Sequence, residues 1–102
     1  MAFDTMNCTG RDVLLVCSDR LRIPMKTIIG KDRHKRVALA RQATYYVARH
    51  TTGMSYPELG KLFHRDHTTI LYGVRKIEKI VKRDEKVRNM VADLIRELTE
   101  CT

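Results

Sequence analysis

Residues Ser55 to Lys79 read SYPELGKLFHRDHTTILYGVRKIEK, and this stretch decides the fold. Ser55 and Glu58 are spaced as a capping box, in which each side chain satisfies the other residue's backbone N–H at a helix start. Pro57 is tolerated in a first turn, and Leu59, Leu62 and Phe63 supply a short apolar face that stops at His64. The spacing predicts a helix of about two turns. Asp66 then stands where an N-cap is needed, and Ile70, Val74, Ile77 and Val81 follow at spacings of four, three and four. A second helix therefore runs to about Arg83. A short capped helix, a tight turn and a second helix with a polar start make a helix-turn-helix.

The flanking sequence is helical in the same terms. Thr9 with Asp12 resembles a capping box, and Val13, Leu14, Val16, Cys17 and Leu21 recur at helical spacing, so a first helix spans about Gly10 to Leu21. Pro24 interrupts it, Ile28 and Ile29 form a short apolar turn, and Gly30 ends that turn. From about Lys35 a long central helix places Leu39, Ala43, Tyr46, Val47 and His50 on one face and stops at Thr51, Thr52 and Gly53. Asp84 and Glu85 open a last helix with Val87, Val91, Leu94 and Leu98 in one stripe and Met90 and Ile95 beside it. No strand alternation or internal repeat occurs. The expected fold is all-α, a small domain of five to six helices, with residues 1–8 as a flexible leader and 9–102 as one domain. Of a free-standing protein and an excised domain, the leading Met and an opening unlike a linker favour the expectation of the former.

Composition narrows the function. At 102 residues the chain builds one small core, which excludes a two-domain enzyme. Hydrophobic residues at 43% and charged residues at 31% suit a globular fold. Twenty Lys and Arg against twelve Asp and Glu leave +8, which points to a polyanionic partner, although a basic surface also serves mere solubility. Cys8, Cys17 and Cys101 include no C-x-x-C pair, so neither a disulfide framework nor a zinc ribbon is suggested. His64 and His67 straddle the end of one helix and the start of the next, a poor metal pair. No apolar run nears the roughly 20 residues of a membrane span, and the opening MAFDTMNCTG is no signal peptide. A cytoplasmic protein without membrane contact, metal, cofactor or enzymatic activity is expected. Trp is absent, which disfavours a single-strand binder built on stacking platforms.

The second helix of the motif opens with Asp66, His67, Thr68 and Thr69. Aspartate accepts from cytosine N4, threonine methyls and imidazole pack on thymine methyls, and hydroxyls donate to phosphate. The same residues would also serve as an ordinary cap and first turn. Charge favours the first reading: Arg65, Arg75, Lys76, Lys79, Lys82 and Arg83 lie on or beside this helix. Lys31, Arg33, Lys35, Arg36 and Arg41 crowd the segment leading into the central helix. Two basic segments around one polar helix tip suit phosphate clamps flanking an inserted helix.

The residues from about Lys31 to Ile80 resemble the C-terminal DNA-binding domain, domain IV, of the bacterial replication initiator DnaA. RDHTTILYGVRKIEK at Arg65 to Lys79 carries the resemblance, with ALARQATYY at Ala38 to Tyr46 and TTGMSYPELGKLF at Thr51 to Phe63 in support. The resemblance implies that Asp66, His67 and Thr68 read bases of an asymmetric DnaA box in the major groove. Arg65, Thr69, Arg41, Gln42, Tyr56 and Pro57 would lie at the backbone. Lys35, Arg36, Arg75 and Lys76 add cations for further phosphate contacts, and Arg33 or Arg36 of the basic loop is the candidate for the minor groove. The glycine-containing turn before Arg-Asp-His is shortened here to Phe63-His64-Arg65. No G-x-x-x-x-G-K-S/T stretch occurs, so no ATPase activity is expected. The partner implied is double-stranded DNA bearing DnaA-box-like sites, bound by a monomer that would compete with full-length DnaA. A module whose basic helices dock on an acidic protein, with incidental DNA binding, is the alternative.

Overall fold

A computed structural model describes residues 8–100, so most of the expected leader, and Cys101, lie outside the described residues. Six helices and no strand occur among them: α1 (Gly10–Leu21), α2 (Met25–Ile29), α3 (Lys35–Thr52), α4 (Tyr56–Phe63), α5 (His67–Arg83) and α6 (Glu85–Glu100). Their starts are chemical. Thr9 Oγ1 accepts from Asp12 N at 3.1 Å while Asp12 Oδ2 accepts from Thr9 N at 3.0 Å. Ser55 and Glu58 repeat this at α4, at 3.2 and 2.9 Å. Each pair satisfies two of the donors that a helix start leaves without an intrahelical acceptor.

α3 is the longest helix and the centre of the core, with α1, α2, α4, α5 and α6 all packed on it. Its buried surface is made of small residues: Ala40, Ala43, Thr44, Val47, Ala48, Thr51 and Thr52, with Tyr45 as the large exception. The three buried threonines send their hydroxyls to the carbonyls one turn back, Thr44 to Ala40 at 2.7 Å, Thr51 to Val47 at 2.8 Å and Thr52 to Ala48 at 2.7 Å. That pairing removes the cost of burying a hydroxyl. The sequence reading centred the buried face on Leu39, Tyr46 and His50 as well as Ala43 and Val47, and this needs correction. Leu39 and Tyr46 are half-buried, and His50 is exposed at the rim with its ring 4.3 Å from that of Tyr46. A helix surrounded by neighbours buries more than one stripe, and small residues let those neighbours come near. Partial burial still pushes the His50 pKa below its ordinary value.

The remaining elements close around this centre. Val13, Leu14 and Cys17 of α1 are buried, and desolvation pushes the Cys17 thiol up to about 12, which keeps it an inert apolar side chain at neutral pH. Val87, Val91, Leu94 and Leu98 of α6 are all buried against the body of the domain. Each of these burials contributes roughly 1.5 to 3 kcal/mol relative to exposure. Tyr45 meets Phe63 of α4 edge to face, with ring centroids 4.7 Å apart.

The link from α4 to α5 turns on His64, which sits at φ 56° and ψ 47°, the left-handed region, while the next N–H, of Arg65, donates to Gly60 O at 2.9 Å. A side chain there costs about 1 to 2 kcal/mol, part of which glycine returns through its larger unfolded entropy. His64→Gly should stabilise the domain by about 0.5 to 1 kcal/mol, read as a thermal midpoint raised by about 2 to 5 °C. An unchanged or lower midpoint would mean that His64 makes contacts worth more than its backbone strain.

Candidate nucleic-acid interface

Two glycines set how α4 and α5 sit. A Cβ at Gly60 would lie 2.6 Å from Arg65 O, so only glycine lets the turn fold back so closely on α4. A Cβ at Gly73 would lie 2.9 Å from Tyr45 Cδ2 and 3.2 Å from Gln42 Cγ, so α5 is seated directly on α3. With Ile70, Val74 and Ile77 buried beneath it, the start of α5 is pinned from below and its first turn faces outward.

Asp66, His67, Thr68 and Thr69 are all exposed there. Asp66 Oδ1 accepts from Thr68 N at 3.2 Å, which caps α5, and lies 3.2 Å from His67 Nδ1. A carboxylate has lone pairs for several donors, so capping leaves capacity for a base amine. Further along the same face, over the next three turns, come Tyr72, Arg75, Lys76 and Lys79. Tyr72 is 67% exposed, one of two large hydrophobic side chains so displayed among the described residues. It escaped the sequence reading, although its place four residues after Thr68 and three before Arg75 was a usable signal.

The second cationic region is the loop between α2 and α3, where Lys31, Arg33, Lys35 and Arg36 are exposed. Two guanidiniums hold the segment that leads into this loop, one from α3 and one from the turn before α5. Arg41 donates from Nε to Ile28 O at 2.8 Å and from Nη2 to Thr27 O at 3.1 Å, holding the last carbonyls of α2. Arg65 donates to Gly30 O and to His64 O, which ties the loop to the turn before α5. Arg41 and Arg65, both expected at the DNA backbone, are thus half-buried and committed to main-chain carbonyls. Gln42 is half-buried beside Gly73. Tyr56 is half-buried with the Arg49 guanidinium 4.4 Å above its ring, and Pro57 is exposed on the α4 side of a hollow that His64, Arg65 and His67 also line.

Electrostatics at the start of α3 run against folding. His34 caps it without a side-chain hydrogen bond, its first turn holds no acid, and Lys35 and Arg36 stand there instead. Cations at a helix N-terminus oppose the macrodipole, and the uncapped N–H groups remain available to an anion. The acid nearby, Asp32, is engaged by His34, whose backbone N and ring Nδ1 lie 2.9 and 2.6 Å from it, and these bonds hold its carboxyl below the usual range. Among the described residues no group of three or more His, Cys, Asp or Glu side chains gathers as a metal site. No helix among them is long and apolar enough to cross a membrane.

The family model described as the bacterial dnaA protein helix-turn-helix matches residues 11–77, which take in α1 to α4, the basic loop and the start and middle of α5. The chain belongs to the DnaA helix-turn-helix family. The chromosomal replication initiator protein DnaA of Jannaschia sp. strain CCS1 is 38% identical over 93 residues, 90% of this chain and 19% of the relative. The protein of the same name from Thermus thermophilus is 33% identical over 84 residues, covering 81% and 19%, and that from Geotalea daltonii is 35% identical over 82 residues, covering 79% and 18%. The chain spans about a fifth of the length of these curated relatives.

The bonding pattern separates structural from displayed arginines. Arg41→Ala should destabilise the domain by about 1.5 to 3 kcal/mol, because two carbonyls lose a charged donor, whereas Arg33→Ala should leave the thermal midpoint within about 0.5 kcal/mol of the parent. Equal midpoints for the two variants would show that the carbonyl contacts of Arg41 carry no stability.

Proposed function

We propose that this chain binds double-stranded DNA at DnaA-box-like sites and acts in replication initiation or its regulation, with no nucleotide hydrolysis of its own. The observation that carries the reading is the placement of Asp66, His67, Thr68 and Thr69 on an exposed first turn, beside a basic loop that Arg65 ties to the same turn. In this reading α5 enters the major groove. Asp66 accepts from a cytosine amine, His67 and Thr68 pack on base edges, and Thr69 faces phosphate. Lys35, Arg36, Arg75 and Lys76 meet phosphates, with the open α3 N-terminus adding backbone donors. Arg33 is the best placed side chain for the minor groove, since Arg36 leans back toward Leu21 O at 3.4 Å. Arg41 and Arg65 act as positioning residues that shape the surface. Sharing of sites makes competition with full-length DnaA a consequence of occupancy, at the nucleoid.

His67→Ala or Thr68→Ala should weaken binding to a box duplex by about 1 to 3 kcal/mol in a gel-shift assay while leaving affinity for its scrambled form nearly unchanged. Equal losses on both duplexes would mean that the turn reads no bases. Neutralising Lys35 and Arg36 together should weaken binding to every sequence and lower the salt slope by about one unit per lost phosphate contact. A slope unchanged by that double substitution would leave these residues as a solvated face.

One protein per box is also proposed. The apolar stripe of α6 is consumed inside the domain, with Val87, Val91, Leu94 and Leu98 all buried, so no comparable stripe is left on α6 for a partner copy. Sedimentation should read a monomer, and a complex with one chain on a single-box duplex; a persistent dimer at micromolar concentration would contradict it.

A further inference from the structure

The α5 face beyond its first turn holds an exposed aromatic ring. Tyr72 is 67% exposed on a helix whose other large apolar side chains are buried (Ile70, Val74 and Ile77) or half-buried (Leu71, Ile80 and Val81). It lines a shallow groove of about 380 Å³ with Thr68, Leu71, Arg75, Lys76 and Lys79. No acid lines that groove. Glu78, the acid on this helix, lies round the side toward Tyr46 and His50, where its charge favours the protonated form of each. An apolar floor rimmed by three cations suits a partner that is negatively charged at its edges and offers a methyl or ring between them. Duplex DNA presents this at a thymine, whose C5-methyl projects into the major groove beside its own strand's phosphates.

Resting on the reading of α5 as a major-groove helix, we propose that Tyr72 is a further specificity-determining residue, whose ring packs on a thymine C5-methyl outside the base pairs read by Asp66, His67 and Thr68. Four residues along a helix advance the side chain by about 6 Å, or roughly two base-pair rises, so Tyr72 and Thr68 meet different base pairs. Arg75, Lys76 and Lys79 bring phosphates of that strand to the groove rim and hold the ring against the methyl. The hydroxyl is not required. The contact is one of apolar burial, so phenylalanine should serve as well as tyrosine.

The test is a scan in which each thymine of a box duplex is replaced singly by deoxyuridine, which removes only the methyl. Affinities are measured for the parent protein, Tyr72→Phe and Tyr72→Ala, with the scrambled duplex as reference. For the parent and Tyr72→Phe, one replacement outside the Asp66 to Thr68 contacts should weaken binding about threefold to tenfold, the scale of one buried methyl. Tyr72→Ala should bind the unmodified box more weakly by a similar factor and lose nothing further at that position. A box preference retained by all three proteins, with identical scans for the parent and Tyr72→Ala, would overturn the assignment of Tyr72 alone. A parent that does not distinguish box from scrambled duplex would overturn this proposal and the reading of α5 together. Loss of discrimination in Tyr72→Phe as well as Tyr72→Ala would assign the position to the hydroxyl and contradict methyl packing.

Discussion

The helix-turn-helix depends on the contact between α3 and α5 at Gly73, where the backbone of α5 rests against the ring of Tyr45 with no room for a Cβ. Tyr45 is 2% exposed and also receives the edge of Phe63 from α4, so one buried ring sets the positions of both helices of the motif. Gly60 supplies the second close approach, letting the turn fold onto α4. Once these are satisfied, Ile70, Val74 and Ile77 have one way to be buried, and Tyr72, Arg75 and Lys76 between them face outward. The display of Asp66 to Thr69 follows from core packing. A loop in their place would lose such registration, because bases are read at hydrogen-bond distances.

Against that rigid frame the surface is electrostatically unrelieved. The chain carries +8, and part of the excess stands at the start of α3, where Lys35 and Arg36 oppose the helix dipole and the first turn holds no acid and has no side-chain cap. A fold selected for stability alone would place acids there. The arginines divide by function: Arg41 and Arg65 are turned onto carbonyls of α2, Gly30 and His64, while Arg33, Arg75, Lys76 and Lys79 remain in solvent. The first group holds the shape of the loop, and the second supplies a field that falls away within a Debye length, about 8 Å at physiological salt.

Much of this was legible from the chain, and the reason is local chemistry. Capping boxes at Thr9 with Asp12 and Ser55 with Glu58, and the cap at Asp66, act within three residues and so marked the starts of α1, α4 and α5. The strict stripe of α6 was visible because one face suffices for a helix at the edge of a core. The buried face of α3 was misjudged because its neighbours select for smallness, which a search for large apolar residues passes over. The carbonyl contacts of Arg41 were not legible, because its partners lie 13 and 14 residues away and leave no spacing rule. Phe63-His64-Arg65 reads as a shortened turn, but the left-handed backbone of His64 is set by the closure of the turn onto α4, which no local spacing encodes. Tyr72 had a signal in its spacing from Thr68 and Arg75, but its exposure is a property of the folded chain.

The central claim is that the first turn of α5 distinguishes one DNA sequence from another while the basic loop does not. Amide NMR spectra of the labelled protein, titrated with a box duplex and separately with its scrambled form, test it directly. The account predicts that resonances of residues 31–36 shift with both duplexes, whereas those of His67, Thr68 and Thr69 move strongly with the box duplex alone. The same set of shifts with both duplexes, or a first turn of α5 that stays silent while the basic loop responds, would contradict it.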